Sequence, residues 1–176
     1  MTIIDPEVEF VSGHPMAGRE KKGYGYASKE VFKNANYILI EHPVNQKECI
    51  SFMERFVGTL GFKSVKIMSP QAHDEIISFT SQLPHAIAVS LINSDNEKYE
   101  TGKYIGDSYR DLTRIANINE NLWSELFLRN SDYLLASIEA FEEQLDLIKV
   151  ALKDNDERLL KDLFIKSSLR REKLEK

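Results

Sequence analysis

The sequence predicts a small α/β unit followed by an all-helical one. Two observations carry this expectation. Short β-branched and aromatic runs bounded by Gly, Pro, Asn or Ser occur before residue 70, with an amphipathic stretch of helical period between two of them. After Ser69-Pro70 every patterned segment has helical spacing. The expected boundary therefore lies near Met68 to Pro70, giving parts 1–68 and 69–176.

The strand candidates are "VEFVSG" (8–13), "NYILIEH" (36–42) and "KSVKIM" (63–68). Between the second and third, Ile50, Met53, Phe56, Val57 and Leu60 recur at helical spacing, and Gly61 is placed to end that helix. Strand, helix, strand within so short a span predicts a parallel crossover. Residues 71–94 read as one long apolar helix that Pro84, lacking a backbone donor, should kink or break. Shorter helices follow at "SYRDLTRIA" and "ENLWSELFL". In the next, Leu134, Ile138, Phe141, Leu145, Ile148 and Leu152 form a heptad seam that should be buried, partly against a second copy. The stretch from Asp156 to Lys176 is a last amphipathic helix ending in a charge run.

Composition narrows the function classes. With 42% apolar and 29% charged residues the chain can fold around a core, and a net charge of −5 leaves no broad basic field for nucleic acid. A single cysteine, Cys49, excludes an internal disulfide and fits a reducing compartment. The longest nearly uncharged run, Ile76 to Asn93, falls short of the roughly 20 apolar residues a spanning helix needs, so no membrane segment and a cytoplasmic location are expected.

Four stretches carry candidate chemistry. In "GHPMAGREKKG" (13–23), the residue before a proline is pushed to extended backbone, so His14 should leave a strand end with its imidazole above the sheet edge. That is where open α/β sheets collect ligands. "SFTSQLPHAIAV" (78–89) puts Gln82 and His85 on one side of a Pro-broken helix; His85 equally suits a core histidine bonded to a carbonyl freed by Pro84. "GDSYRDLTRIA" (106–116) sets Asp111 and Arg114 on one helical face. Trp123, the lone tryptophan, follows on the next helix. His73 reads as structural or surface. "GYGYAS" (23–28) lacks the third glycine and the flanking strand and helix of a dinucleotide fingerprint, and no phosphate loop, HExxH or nucleophile elbow occurs in the sequence, so no metal site is expected.

Taken together and in this order, "GHPMAGREKKG", "SPQAHDEIISFTSQLPHAIA", "GDSYRDLTRIA" and "NENLWSELFLRN" resemble prephenate dehydrogenase, from about Phe10 to Ile148. The resemblance implies the last strands of a Rossmann-like dinucleotide domain followed by a helical substrate-binding and dimerisation domain. It also implies an incomplete chain, since the family's NAD-binding half with its GxGxxG turn does not precede Met1; the isolated chain should then be inactive. It assigns NAD as cofactor of the complete enzyme, prephenate as substrate and a homodimer as the assembly, with tyrosine a candidate feedback ligand.

By the same resemblance His14 matches the catalytic histidine, Arg114 the substrate arginine, His85 and Trp123 pocket residues, and Glu20 and Asp111 carboxylates of an ionic gate with Arg114. Gln82, also matched to the substrate-binding set, stands where some members carry a second histidine and as a neutral donor and acceptor can still bind the substrate side chain. The reaction implied is NAD-dependent oxidative decarboxylation of prephenate to 4-hydroxyphenylpyruvate in tyrosine biosynthesis. Arogenate dehydrogenase and a non-catalytic dimerising or aromatic-ligand-binding module are the alternative readings.

Overall fold

The computed structural model describes residues 8–18 and 23–174. Three strands, β1 (Ser12–Pro15), β2 (Asn36–Ile40) and β3 (Ser64–Met68), are accompanied by α1 (Lys47–Gly58) between β2 and β3. Then come α2 (Pro70–Ile77), α3 (Leu83–Asn93), α4 (Asp107–Thr113), α5 (Glu120–Arg129), α6 (Ser131–Lys153) and α7 (Glu157–Leu174). The chain divides into two compact units, one reaching Asn130 and one starting at Ser131.

The sheet has the order β1-β2-β3, with β1 antiparallel to β2 and β2 parallel to β3. Strand β2, helix α1 and strand β3 thus form the parallel crossover expected from the sequence. Side chains alternate across the pleat, so Ile38 and Ile40 share one face, where Ile77 of α2 packs on them with Met16 and Met68 alongside. His14 lies opposite Ile38 in the register and therefore belongs to that face. Leu39 points the other way, and α1, in contact with β2 and β3, buries Ile50 and Val57. Full burial of side chains such as Leu39 and Val57 stabilises by about 1.5–3 kcal/mol each.

β1 differs from its expected range. It runs from Ser12 to Pro15, so His14 is paired within the strand and does not leave its end. An edge strand tolerates a proline because the missing donor need not break an interior ladder. Gly13 is dictated by space: a Cβ there would lie 2.6 Å from Cε1 of Tyr37, whose ring packs edge-on against Phe62 at 4.9 Å between centroids. Past α1, Gly61 takes the left-handed turn at φ 88° that a side chain would resist.

The long helix expected over 71–94 is also resolved differently. Ser69 opens α2 by accepting from the Ala72 amide, and Pro70 fits in the first turn, where no backbone donor is needed. A single π-helical turn, Ser78–Gln82, joins α2 to α3, and the Leu83 amide reaches back to the Ser78 carbonyl. Pro84 then falls in the first turn of α3, so its missing N–H is absorbed there without ending the helical run.

In the second unit, α6 and α7 pack on each other, and Asp156 caps α7 by accepting from the Leu159 amide. The heptad seam of α6 is not buried within the chain: Leu134 is, but Phe141, Leu145 and Leu152 are exposed.

Candidate functional site

His14 is half-buried on β1, and its Nδ1 lies 2.9 Å from Nε2 of His73, in the first turns of α2. The other nitrogen of His73, Nδ1, lies 2.8 Å from Oδ1 of Asp74. The two rings are tilted at 60° with centroids 5.2 Å apart. Burial, and then the neighbouring His73, lower the pKa of His14 from its ordinary value, which favours a neutral imidazole.

The chain His14, His73, Asp74 fixes protons. A carboxylate only accepts, so His73 carries its proton on Nδ1 and a neutral ring leaves Nε2 bare. His14 must then donate through Nδ1, which leaves Nε2 as its one acceptor. Such a ring can take a proton from a hydroxyl.

A second cluster lies at the start of α3. Gln82 is buried, with its Nε2 donating to the Leu126 carbonyl at 3.1 Å and its Oε1 accepting from Asn130 Nδ2 at 2.9 Å. Asn130 Nδ2 also donates to the Asp74 carbonyl at 2.9 Å, so the backbone behind the Asp74 carboxylate is tied to Gln82. His85 donates from Nδ1 to the Ser81 carbonyl at 2.9 Å, which leaves its Nε2 as an acceptor as well. Its ring stacks on Trp123, with centroids 3.6 Å apart and planes at 28°, and Trp123 meets Phe127 edge-on.

Helix α3 packs against α4 and against the 3-10 turn Arg114–Ala116. Asp111 is exposed on α4, which ends at Thr113; Arg114 caps that helix, its amide donating to the Arg110 carbonyl, and opens the 3-10 turn that follows. Glu20 lies outside the described residues. The structure thus joins His14 to His73, Gln82 to Asn130 and His85 to Trp123.

His73, Asp74 and Asn130 were not singled out by sequence reasoning. The one available signal was the histidine-aspartate pair in "QAHDE", but consecutive helical residues diverge by about 100°, so their side-chain contact has no sequence period.

A dinucleotide pyrophosphate needs free amides at a helix start behind a strand. In each of the two helices that follow strands in the described residues, one early amide is already occupied. At α1 the Gln46 amide donates to Glu9 Oε1 at 2.7 Å, and at α2 the Ala72 amide is taken by Ser69. The segment 23–28 forms a short 3-10 turn, Tyr24–Tyr26, with Tyr24 exposed. Among the described residues no group of ligands suits a metal ion, and no helix is long and apolar enough to cross a membrane.

The nucleotide-binding domain model of prephenate dehydrogenase matches residues 1–66, and the dimerization domain model of prephenate dehydrogenase matches residues 69–166. The chain belongs to the prephenate dehydrogenase family. It is 30% identical over 158 residues to the prephenate dehydrogenase of Bacillus subtilis, covering 88% of this chain and 42% of that protein. It is 28% identical over 167 residues to the cyclohexadienyl dehydrogenase of Zymomonas mobilis, covering 92% of this chain and 57% of that protein.

Prephenate dehydrogenase from Aquifex aeolicus, solved with hydroxyphenyl propionate and NAD+, superposes with a TM-score of 0.80 at 32% identity, over 93% of this chain and 58% of that one. Arogenate dehydrogenase from Synechocystis shares the fold, with a TM-score of 0.81 at 24% identity over 94% of this chain and 61% of that one. The fold class expected from the sequence, a Rossmann-like fragment followed by a helical dimerisation domain, is the one these comparisons support. The chain spans about half the length of the curated relatives it matches, 42% to 57%.

Proposed function

We propose that this chain supplies the catalytic base and the substrate-binding lobe of an NAD-dependent dehydrogenase that oxidatively decarboxylates prephenate to 4-hydroxyphenylpyruvate, a step of tyrosine biosynthesis. The observation that carries this reading is His14, a half-buried imidazole with a lowered pKa and Nε2 as its one acceptor. His14 accepts the proton of the C4 hydroxyl as that oxygen becomes a carbonyl. Arg114 holds a substrate carboxylate, for which its planar fork suits better than an ammonium. His85, stacked on Trp123, presents an acceptor beside a flat apolar wall suited to a ring substrate. Gln82 acts by holding α3 to Asn130, and Asp111 with Glu20 forms the ionic gate around Arg114.

NAD+, when bound, supplies the hydride acceptor. No GxGxxG turn occurs in the 176 residues, so in this reading its phosphates are held by another part of the dehydrogenase. The functional division falls at 68/69, a homodimer covers the exposed seam residues Phe141, Leu145 and Leu152, and the protein works in the cytoplasm.

The test is kinetic, on the complete dehydrogenase. His14→Asn lowers kcat by a factor of about 100 to 10,000 with little change in KM, whereas Arg114→Ala chiefly raises KM. Small and equal effects from the two changes overturn the assignment. Turnover of prephenate against arogenate by one preparation decides the substrate, which the relation to a cyclohexadienyl dehydrogenase leaves within one ring class. Titration of the 176-residue chain should show binding of 4-hydroxyphenylpyruvate without binding of NAD+; tyrosine, added separately, tests the feedback role.

A further inference from the structure

We propose that His73 and Asp74 are positioning residues that set the tautomer of His14, so that the base faces its substrate with a bare Nε2 in every catalytic cycle. The proposal rests on the dehydrogenase reading above for its consequence, but on geometry alone for its existence. The carboxylate oxygen, two imidazoles and two short contacts of 2.8 Å and 2.9 Å form an unbranched line from α2 to β1. Each imidazole has one proton to give, and the line ends on a carboxylate that only accepts: Asp74 accepts from His73 Nδ1, and His73 Nε2 accepts from His14 Nδ1.

The line is anchored at both ends. His14 is fixed by its pairing opposite Ile38, and the α2 backbone at Asp74 is bracketed by Asn130. His73 itself is largely enclosed, with its side chain 20% exposed, while Asp74 is about half open to solvent at 52%. This gradient suits the roles: the outer carboxylate meets solvent and acts as an acceptor, and the two rings lie further in. When His14 takes the hydroxyl proton on Nε2, its Nδ1–H bond to His73 becomes charge-assisted and shortens, which stabilises the imidazolium as it forms. No proton needs to travel beyond His14, and the balance closes with one O–H bond broken and one N–H bond formed.

Two readouts test this. In the full chain, long-range proton–nitrogen correlation spectra of the imidazoles should show His14 with a protonated Nδ1 and a bare Nε2. His73→Leu should release it to a mixture of tautomers, and the fluorescence of Trp123 reports whether that variant stays folded. Asp74→Asn, a half-exposed change, tests the outer link without emptying the core: an amide donates as well as accepts, so the tautomer of His73 is no longer imposed.

In the complete dehydrogenase, His73→Leu should lower kcat by about 10- to 100-fold with KM within about twofold, as for other residues that orient a site group from behind. His73→Gln should recover part of the loss because its Oε1 can accept from His14 Nδ1. A single fixed His14 tautomer in both the parent chain and His73→Leu overturns the proposal, as does unchanged kcat in His73→Leu and Asp74→Asn where His14→Asn is inactive. If His14→Asn itself keeps full turnover, the dehydrogenase reading falls, and the tautomer spectra alone decide whether the line of protons exists.

Discussion

Replacing Gln82 by Met keeps the volume of a buried side chain and removes its amide. In the parent, that amide makes two contacts, Nε2 to the Leu126 carbonyl at 3.1 Å and Oε1 from Asn130 at 2.9 Å. Leu126 lies in the last turn of α5, where carbonyls have no partner within the helix, so Gln82 satisfies a group that would otherwise be left over. With Gln82 only 4% exposed, water cannot readily replace it. An orphaned buried group costs about 1–3 kcal/mol, and the same range is expected for Gln82→Met.

Asn130→Ala breaks the shared bond and the bond to the Asp74 carbonyl, so the two changes must be non-additive by about 1 kcal/mol, the worth of the bond they share. Urea unfolding followed through Trp123, the lone tryptophan, reads the unit in which these residues lie. Additivity of the two changes within about 0.3 kcal/mol refutes the bracket, as does an unchanged midpoint for Gln82→Met.

Because the folded pKa of His14 is depressed, the unfolded chain binds more protons between that value and about 6.5. His14 therefore opposes folding as the pH falls through this window, and its effect is absent above it; thermal unfolding from pH 8 to 5 should show a steeper loss in the parent than in His14→Asn. Gly13→Ala should cost about 1–3 kcal/mol through its clash with the Tyr37 ring, measured by denaturant midpoint, and Tyr37→Ala should remove most of that cost. Trp123→Leu should move the ring proton shifts of His85 back toward those of a free imidazole, and destabilise by about 0.5–1.5 kcal/mol beyond its lost burial.

Much of the architecture was legible because it depends on local pattern. The β2-α1-β3 crossover follows from two β-branched runs flanking a helical period, and the observed strands Asn36–Ile40 and Ser64–Met68 lie inside the expected ranges. β1 was misplaced because "VEFV" has the composition of a strand, while the residues that actually pair, Ser12 to Pro15, include a glycine and a proline. Their pairing is decided by β2, not by their own propensity. The proline at 84 was expected to kink or locally break a helix; the irregularity falls just before it, as a π turn, and the helical run continues through Pro84.

At the candidate site, His14, His85 and Trp123 stand out by residue type and neighbourhood. The contacts that orient them do not. His73 meets His14 across 59 positions of sequence, and Asn130 meets Gln82 across 48. No periodicity within one helix encodes which residue of another element will face it.

The five residues from Ser78 to Gln82 work as a slack coil on a shaft. Regular helix advances each side chain by about 100° and 1.5 Å, and the wide turn holds one position more than a regular coil would. Deleting a single residue there would close the coil to regular helix and leave the downstream phase nearly unchanged, whereas deleting one from the regular turn before it, between Asp74 and Ile77, would swing everything downstream by about 100°. His73 would keep its grip on the sheet, while His85 would be carried off its indole and Gln82 off its carbonyl. Length is therefore held more tightly in the regular turn before the wide one than within it, and Ser81 tolerates exchange, since it is its carbonyl, not its side chain, that receives the His85 ring.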